Sequence, residues 1–244
     1  MKYTTFYQPK LDKTFVCRKR TKEKRSKNQL YLDNPTVDQT DLWIVHEMPI
    51  YLRSISLEED DVWADFGANI GAFGVLIYDQ VKKVYGFEPH PDNIGVLKEQ
   101  IDFNDMSNYV LHEMAIVHDN NIKEIGLHVH PDMACHSTIK KNRKTLDILI
   151  VPAIGINEVF EKYPDINKVK MDIEGGEYDV ILNYRHWNRI KEIYFEWHAG
   201  PNSDPDMIKY HEVIDHLSQY YNGIAYTKKL WQGVAVGYFN DPKN

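Results

Sequence analysis

The sequence predicts an α/β fold: a mostly parallel sheet covered by helices on both faces and closed by a C-terminal antiparallel hairpin. Three observations lead there. Short apolar runs alternate with stretches of helical period from residue 61 onward. Glycines and acids stand just after the apolar runs, where ligands of parallel sheets bind. The chain ends on two strand-like runs separated by the turn LWQG.

The elements follow in order. Residues 1–35 show no sustained period and read as an N-terminal extension, basic at 18–27, where RKRTKEKRSK carries seven Lys/Arg against one Glu. A helix follows, capped by Asp38 or Thr40, with an apolar stripe of Leu42, Trp43, Val45, His46, Met48, Ile50 and Tyr51. Val62-Trp63-Ala64 is a buried strand, 70–80 a helix, and 84–87 a second strand stopped by Glu88-Pro89. Pro91 suits the first position of a helix over 91–103. Strands are expected at 109–116, 122–130, 145–154, 169–173, 193–197, 224–229 and 234–239. Helices are expected at 156–163, 177–184 and 206–221, the last capped near Ser203 or Asp204. Residues 36–244 then form a single domain.

Composition excludes several classes. No apolar run approaches the ~18 residues that span a bilayer, and the first ten residues hold no signal-peptide core, so a cytoplasmic protein is expected. Cys17 and Cys135 form no metal or redox motif. The net charge of −7 argues against bulk nucleic-acid binding. The basic run at 18–27 leaves an RNA contact open.

The chemistry concentrates at strand ends. ADFGANIGAFG, residues 64–74, places Gly67, Asn69 and Gly71 in a tight strand-to-helix turn. A dinucleotide loop needs G-x-G-x-x-G, but Asn69 and Ala72 occupy its second and third glycine positions. Asp65 at the entrance would repel a pyrophosphate and attract an ammonium or sulfonium. The loop therefore suits a nucleoside with a cationic amino-acid tail. Glu88 ends the second strand, where an acid accepts ribose hydroxyls. Asp172, Glu174 and Glu177 crowd after the fourth main strand, with Gly175-Gly176 opening a helix. Helix-terminal anions account for part of this crowding; a catalytic base or a divalent metal would also use it, although no metal motif supports the latter. Glu196 and His198 end the fifth strand at the same edge, and an ordinary histidine pKa suits His198 as a general base. His128, His130 and His136 share a loop but lack the i,i+4 pairing of a helical metal site.

DFGANIGAFG, GFEPHPDN and VKMDIEGGEYDVI, in this order, resemble the FkbM family of S-adenosylmethionine-dependent methyltransferases. The resemblance covers about residues 60–240 and leaves residues 1–35 outside. It implies the Rossmann-like, seven-stranded class I methyltransferase fold and O-methylation, chiefly of sugars or glycans. It makes Asp65, Gly67, Ala68, Asn69 and Gly71 the S-adenosyl-L-methionine loop and Glu88 the ribose acid, with Asn93 and Ala115 near the adenine. Asp172, Glu174, Glu196 and His198 would surround the acceptor hydroxyl. The alternatives are a nucleic-acid 2'-O-methyltransferase, an NAD-binding oxidoreductase and a non-catalytic nucleoside-binding module.

Overall fold

The computed structural model describes residues 2–20, 34, 36–130, 135–139, 145–198, 208–231 and 234–243. Its central sheet is built from β3 (Val62–Phe66), β4 (Lys83–Phe87), β5 (Tyr109–His112), β9 (Lys168–Met171), β10 (Glu192–His198), β11 (Tyr221–Trp231) and β12 (Val234–Pro242). The strand order is β11-β12-β10-β9-β3-β4-β5. The strands from β5 to β10 run parallel, and β12 is antiparallel to both of its neighbours. This is the expected parallel sheet with a closing hairpin. The order reverses at β3, between β4 and β9, which places a crevice at the carboxyl ends of these strands.

Strand alternation divides the interior into two cores. Ala64, Phe66, Phe87, Met171 and Phe195 pack with α4 (Ile156–Lys162), α5 (Glu177–Asn183) and α6 (Ile208–Ser218). Trp63, Val84 and Tyr194 pack on the other face with α1 (Gln39–Leu52), α2 (Ala72–Ile77) and α3 (Pro91–Phe103). A smaller sheet joins β6 (Ala115–Val117), β8 (Asp147–Gly155) and β7 (Glu124–Val129), in that order.

Several elements differ from expectation. Residues 3–18 are not featureless: β1 (Tyr3–Gln8) and β2 (Lys13–Arg18) form an antiparallel hairpin. Phe15 and Cys17 are wholly buried in the core on the α1–α3 side, where β2 packs against those helices. The strands are short and the buried side chains are few, so no period stands out in the sequence. The rest of the basic run, beyond Arg20, lies outside the described residues. The strand expected over 109–116 breaks at Glu113-Met114, because its second half leaves the main sheet to pair with β8. Helix α6 ends at Ser218, since Tyr221 already enters β11; its expected caps lie outside the described residues. Asp38, rather than Thr40, caps α1, accepting from Thr40 N at 3.0 Å. The buried stripe of that helix is Leu42, Val45, Met48 and Tyr51, while Trp43 and Ile50 are exposed. No helix among the described residues is long and apolar enough to cross a membrane.

Candidate active site

The glycines answer to crowding and to backbone shape. Gly67 has φ 77°, Asn69 φ 51° and Gly71 φ 80°, so the chain enters the left-handed region three times in five residues. Asn tolerates that region better than most side chains, and Gly does so freely. A Cβ at Gly67 would overlap the carbonyl oxygen of Asp172, and one at Gly71 would overlap the Leu97 side chain. The loop is thus pressed against β9 below and α3 beside it. Gly67 N and Ala68 N both donate to Phe87 O, which ties the loop to β4.

The loop opens onto a cleft of about 550 Å³, including its mouth. Of the predicted residues, Gly67, Asn69, Glu88, Asn93, Ala115, Asp172 and Glu174 line it. Asp65, Ala68 and Gly71 do not. Ala68 belongs to the core on the α1–α3 side, and Gly71 caps α2. Asp65 is fully buried below the loop and pairs with Lys170 Nζ at 3.2 Å. Burial raises the Asp65 pKa, and Lys170 opposes that rise. The same lysine donates to Gly67 O at 2.9 Å. The expected direct attraction of Asp65 for a cationic ligand is therefore corrected: its charge is matched by Lys170, and it acts on the cleft through that lysine.

Glu88 sits at the end of β4, 5% exposed. Its Oε2 accepts from Asn69 N at 2.8 Å, and its Oε1 accepts from His90 N at 2.8 Å and Asn93 Nδ2 at 3.3 Å. Burial pushes its carboxyl up to about 7, with these three donors working the other way. A carboxylate has about four lone-pair sites, so three donors leave room for another. Asn69 Oδ1, also at the cleft, is buried without a hydrogen-bond partner among the described residues.

Beside the cleft, the acids meet at His198. Its Nδ1 stands 3.6 Å from Asp172 and 3.4 Å from Glu177; its Nε2 stands 3.6 Å from Glu174 and 3.7 Å from Glu196. Burial alone would lower the His198 pKa, but Glu174, Glu177 and Asp172 together raise it to about 10. His198 is therefore an imidazolium at neutral pH, not the free base that an ordinary histidine pKa suggested. The Glu196 pKa rises as well: burial, then the Asp172 charge, raise it to about 7. Glu177 accepts from Ile173 N and Gly175 N, both at 3.1 Å, and so also ties down the turn after β9. Asp172, Glu174 and His198 each offer a ligand atom within 4.8 Å of the others, a set that a metal ion could use. His198 would have to give up its proton to join such a set.

Three contributors escaped the sequence reading. Tyr51 on α1 donates its hydroxyl to Glu196 at 3.1 Å. Glu47, one turn earlier on the same face, has its pKa raised to about 8 by burial, then by Glu196 and Asp172. Arg18 of the hairpin donates to Asn93 Oδ1 at 3.1 Å while its own charge is paired with the buried Asp41. The contacts link residues 145, 149 and 75 positions apart in the chain, and no local pattern signals them.

The family described as the methyltransferase FkbM domain matches residues 65–221. No curated protein matches the chain. Among solved structures, the methyltransferase FkbM from Methylobacillus flagellatus KT has a TM-score of 0.50 at 17% identity, over 78% of this chain and 46% of its own. This chain thus spans less than half the length of that protein, and the likeness is one of fold. An rRNA methylase from Streptococcus thermophilus scores 0.48 at 9% identity, over 81% of this chain and 95% of its own. Aeropyrum pernix fibrillarin, solved with natively bound S-adenosyl-L-methionine, scores 0.47 at 12% identity, over 98% and 94%. The matched span runs from the buried acid of β3 to the start of β11 and takes in the glycine loop, Glu88 and the acids after β9; the chain belongs to the FkbM methyltransferase domain family.

Proposed function

We propose that this methyltransferase uses S-adenosyl-L-methionine and delivers the methyl group to a hydroxyl, with a sugar or glycan as the acceptor class. One observation carries the reading: a single cleft is lined by the loop residues Gly67 and Asn69 and the strand-end acid Glu88, and it runs directly into Asp172 and Glu174. The residues fit the cofactor. Glu88 has acceptor capacity left for a ribose hydroxyl, and Asn69 Oδ1 is a buried acceptor with no donor among the described residues. When bound, the cofactor supplies an electrophilic methyl group on a sulfonium.

The chain's own residues handle the acceptor. The hydroxyl oxygen must lose its proton as it attacks. Glu196, titrating at about 7 and held by Tyr51, is the base that matches neutral pH. Asp172 orients the hydroxyl, and the His198 imidazolium holds Asp172, Glu174 and Glu196 in register. Lys170 is matched by Asp65, so the acids around His198 outnumber the cations. A phosphate-bearing acceptor would meet repulsion there, which favours a neutral polyol over nucleic acid.

Calorimetry with S-adenosylmethionine, S-adenosylhomocysteine and NAD in parallel tests the cofactor. Micromolar binding of S-adenosylhomocysteine and no heat from NAD are expected; tighter binding of NAD would overturn the assignment. Asp172→Asn should remove most methyl transfer to any accepted glycan fragment while leaving S-adenosylhomocysteine affinity within about tenfold, the span of ~1.4 kcal/mol. Full activity of that variant would remove Asp172 from the acceptor site.

A further inference from the structure

His136 carries a hydrogen-bond donor that no described residue uses. It lies between β7 and β8, in the described stretch 135–139, and lines the cleft together with Glu88, Asn93, Ala115 and Thr138. Three contacts hold its ring. Ser137 pairs with His128 as a bridge, with N···O distances of 2.8 and 3.3 Å, which fixes the backbone. His136 Nδ1 accepts from His130 N at 3.1 Å. The ring stacks on His90, with centroids 3.9 Å apart and planes at 18°. His90 is fixed in turn: its Nδ1 accepts from Asp92 N and caps α3.

These contacts decide the tautomer. With Nδ1 accepting, the proton of the neutral ring is on Nε2. Nε2 is buried and has no hydrogen-bond partner among the described residues, and the residue as a whole is 9% exposed. A buried donor left unmet is costly and calls for an explanation, and one that also lines a cleft points to a ligand. Burial and the nearby His90 and Arg18 hold the ring neutral, with a pKa of about 3. A neutral ring offers a donor without a charge, which suits a neutral acceptor.

The rest of the cleft narrows the choice. At Glu88 it presents an acceptor, which suits hydroxyl donors. The lining also includes the apolar side chains of Met114, Ile116 and Leu127, which suit a flat ring. Resting on the cofactor reading above, we propose that His136 donates from Nε2 to a ring nitrogen of the cofactor's adenine. The same stretch reaches the acceptor side, because Ser137 Oγ donates to Glu174 O at 2.6 Å. Seating the base and placing the Glu174 carboxylate then depend on one short segment.

The test is a titration of S-adenosylhomocysteine and its 1-, 3- and 7-deaza analogues into the wild type, His136→Phe and His136→Gln. Phe keeps the stack on His90 and removes the donor; Gln restores a donor. His136→Phe should bind S-adenosylhomocysteine about three- to fifteenfold more weakly, the range of one net hydrogen bond. The loss should be equal at pH 6 and pH 9, since the ring does not titrate between them. One deaza analogue should lose affinity for the wild type but not for His136→Phe, which isolates the pair. His136→Gln should recover part of the affinity. Deaza analogues that rank identically on wild type and His136→Phe would overturn the proposal. So would wild-type binding that is indifferent to all three, which needs no variant to fold. A wild type that binds no S-adenosylhomocysteine would instead overturn the cofactor reading, and this inference with it.

Discussion

Glu88 is buried, accepts three hydrogen bonds and still titrates at about 7 instead of its ordinary 4.5. The folded apo protein thus holds that proton more tightly than the unfolded chain. By linkage the group costs no stability below about pH 4.5, and an increasing amount as pH climbs to about 7. The full cost is about 3–4 kcal/mol, at ~1.4 kcal/mol per pKa unit. Urea unfolding of wild type and Glu88→Gln should therefore diverge in favour of the variant between pH 4.5 and 7 and run parallel above. A difference that does not change with pH would show that the carboxyl is not perturbed. Ribose hydroxyls donating to the carboxylate favour its charged form. S-Adenosylhomocysteine affinity in the wild type should accordingly rise with pH up to about 7 and then level, while Glu88→Gln binds ten- to a hundredfold more weakly without the slope. At Gly67, Ala would collide with the Asp172 carbonyl oxygen at a positive φ. That variant should lose binding even if it folds.

At the scale of elements, the cleft is supported by pieces far apart in the chain. The hairpin β1–β2 places Arg18 against Asn93, whose amide donates to Glu88. Arg18→Lys keeps a cation beside the buried Asp41 but gives up the guanidinium bond to Asn93. It should weaken S-adenosylhomocysteine binding by about three- to tenfold, as one hydrogen bond's worth of ordering is lost. Binding equal to wild type in calorimetry would show that Asn93 holds its orientation unaided. Helix α1 acts on the other half, since the Tyr51 hydroxyl steadies the charged form of Glu196. Tyr51→Phe should therefore move the acid limb of the pH–rate profile upward, by a fraction of a pH unit to about one unit. An unmoved limb would take Glu196 out of the role of base. His198 enters the profile at the opposite end: held as an imidazolium up to about pH 10, it should leave activity level between pH 8 and 9.

At the scale of the whole molecule, the sheet is buried on both faces, and the N-terminal hairpin is part of one cover. Phe15 shares a core with Trp63, Phe73 and Leu97. A wholly buried Phe cut to Ala costs about 3–5 kcal/mol. At ~2–4 °C per kcal/mol for a chain of this size, Phe15→Ala should lower the Tm by about 10 °C. A Tm within 2 °C of wild type would mean that the hairpin is a separate appendage. At the end of the sheet opposite the cleft, Lys168 is 2% exposed and pairs with Asp61 at 2.7 Å and Glu192 at 3.3 Å. Loss of one partner there would leave a buried charge uncompensated.

Local pattern was enough for the parts that depend on neighbours in the chain. Helical and strand periods marked the central sheet and most of its helices, because burial on one face repeats at a fixed spacing. Glycines and acids at strand ends marked the cleft, because parallel topology gathers those ends at one edge. Gly67, Asn69, Glu88, Asp172 and Glu174 do meet there. Tertiary structure alone decided the charge states. Asp65 lost its expected attraction for a ligand once Lys170 stood beside it, and His198 became a fixed cation once four carboxylates surrounded it. It also brought Arg18, Tyr51 and His136 to the cleft, and it turned a stretch without period into a packed hairpin. Ionisation depends on burial and on charges that arrive from distant segments, and neither is a property of any local run of residues.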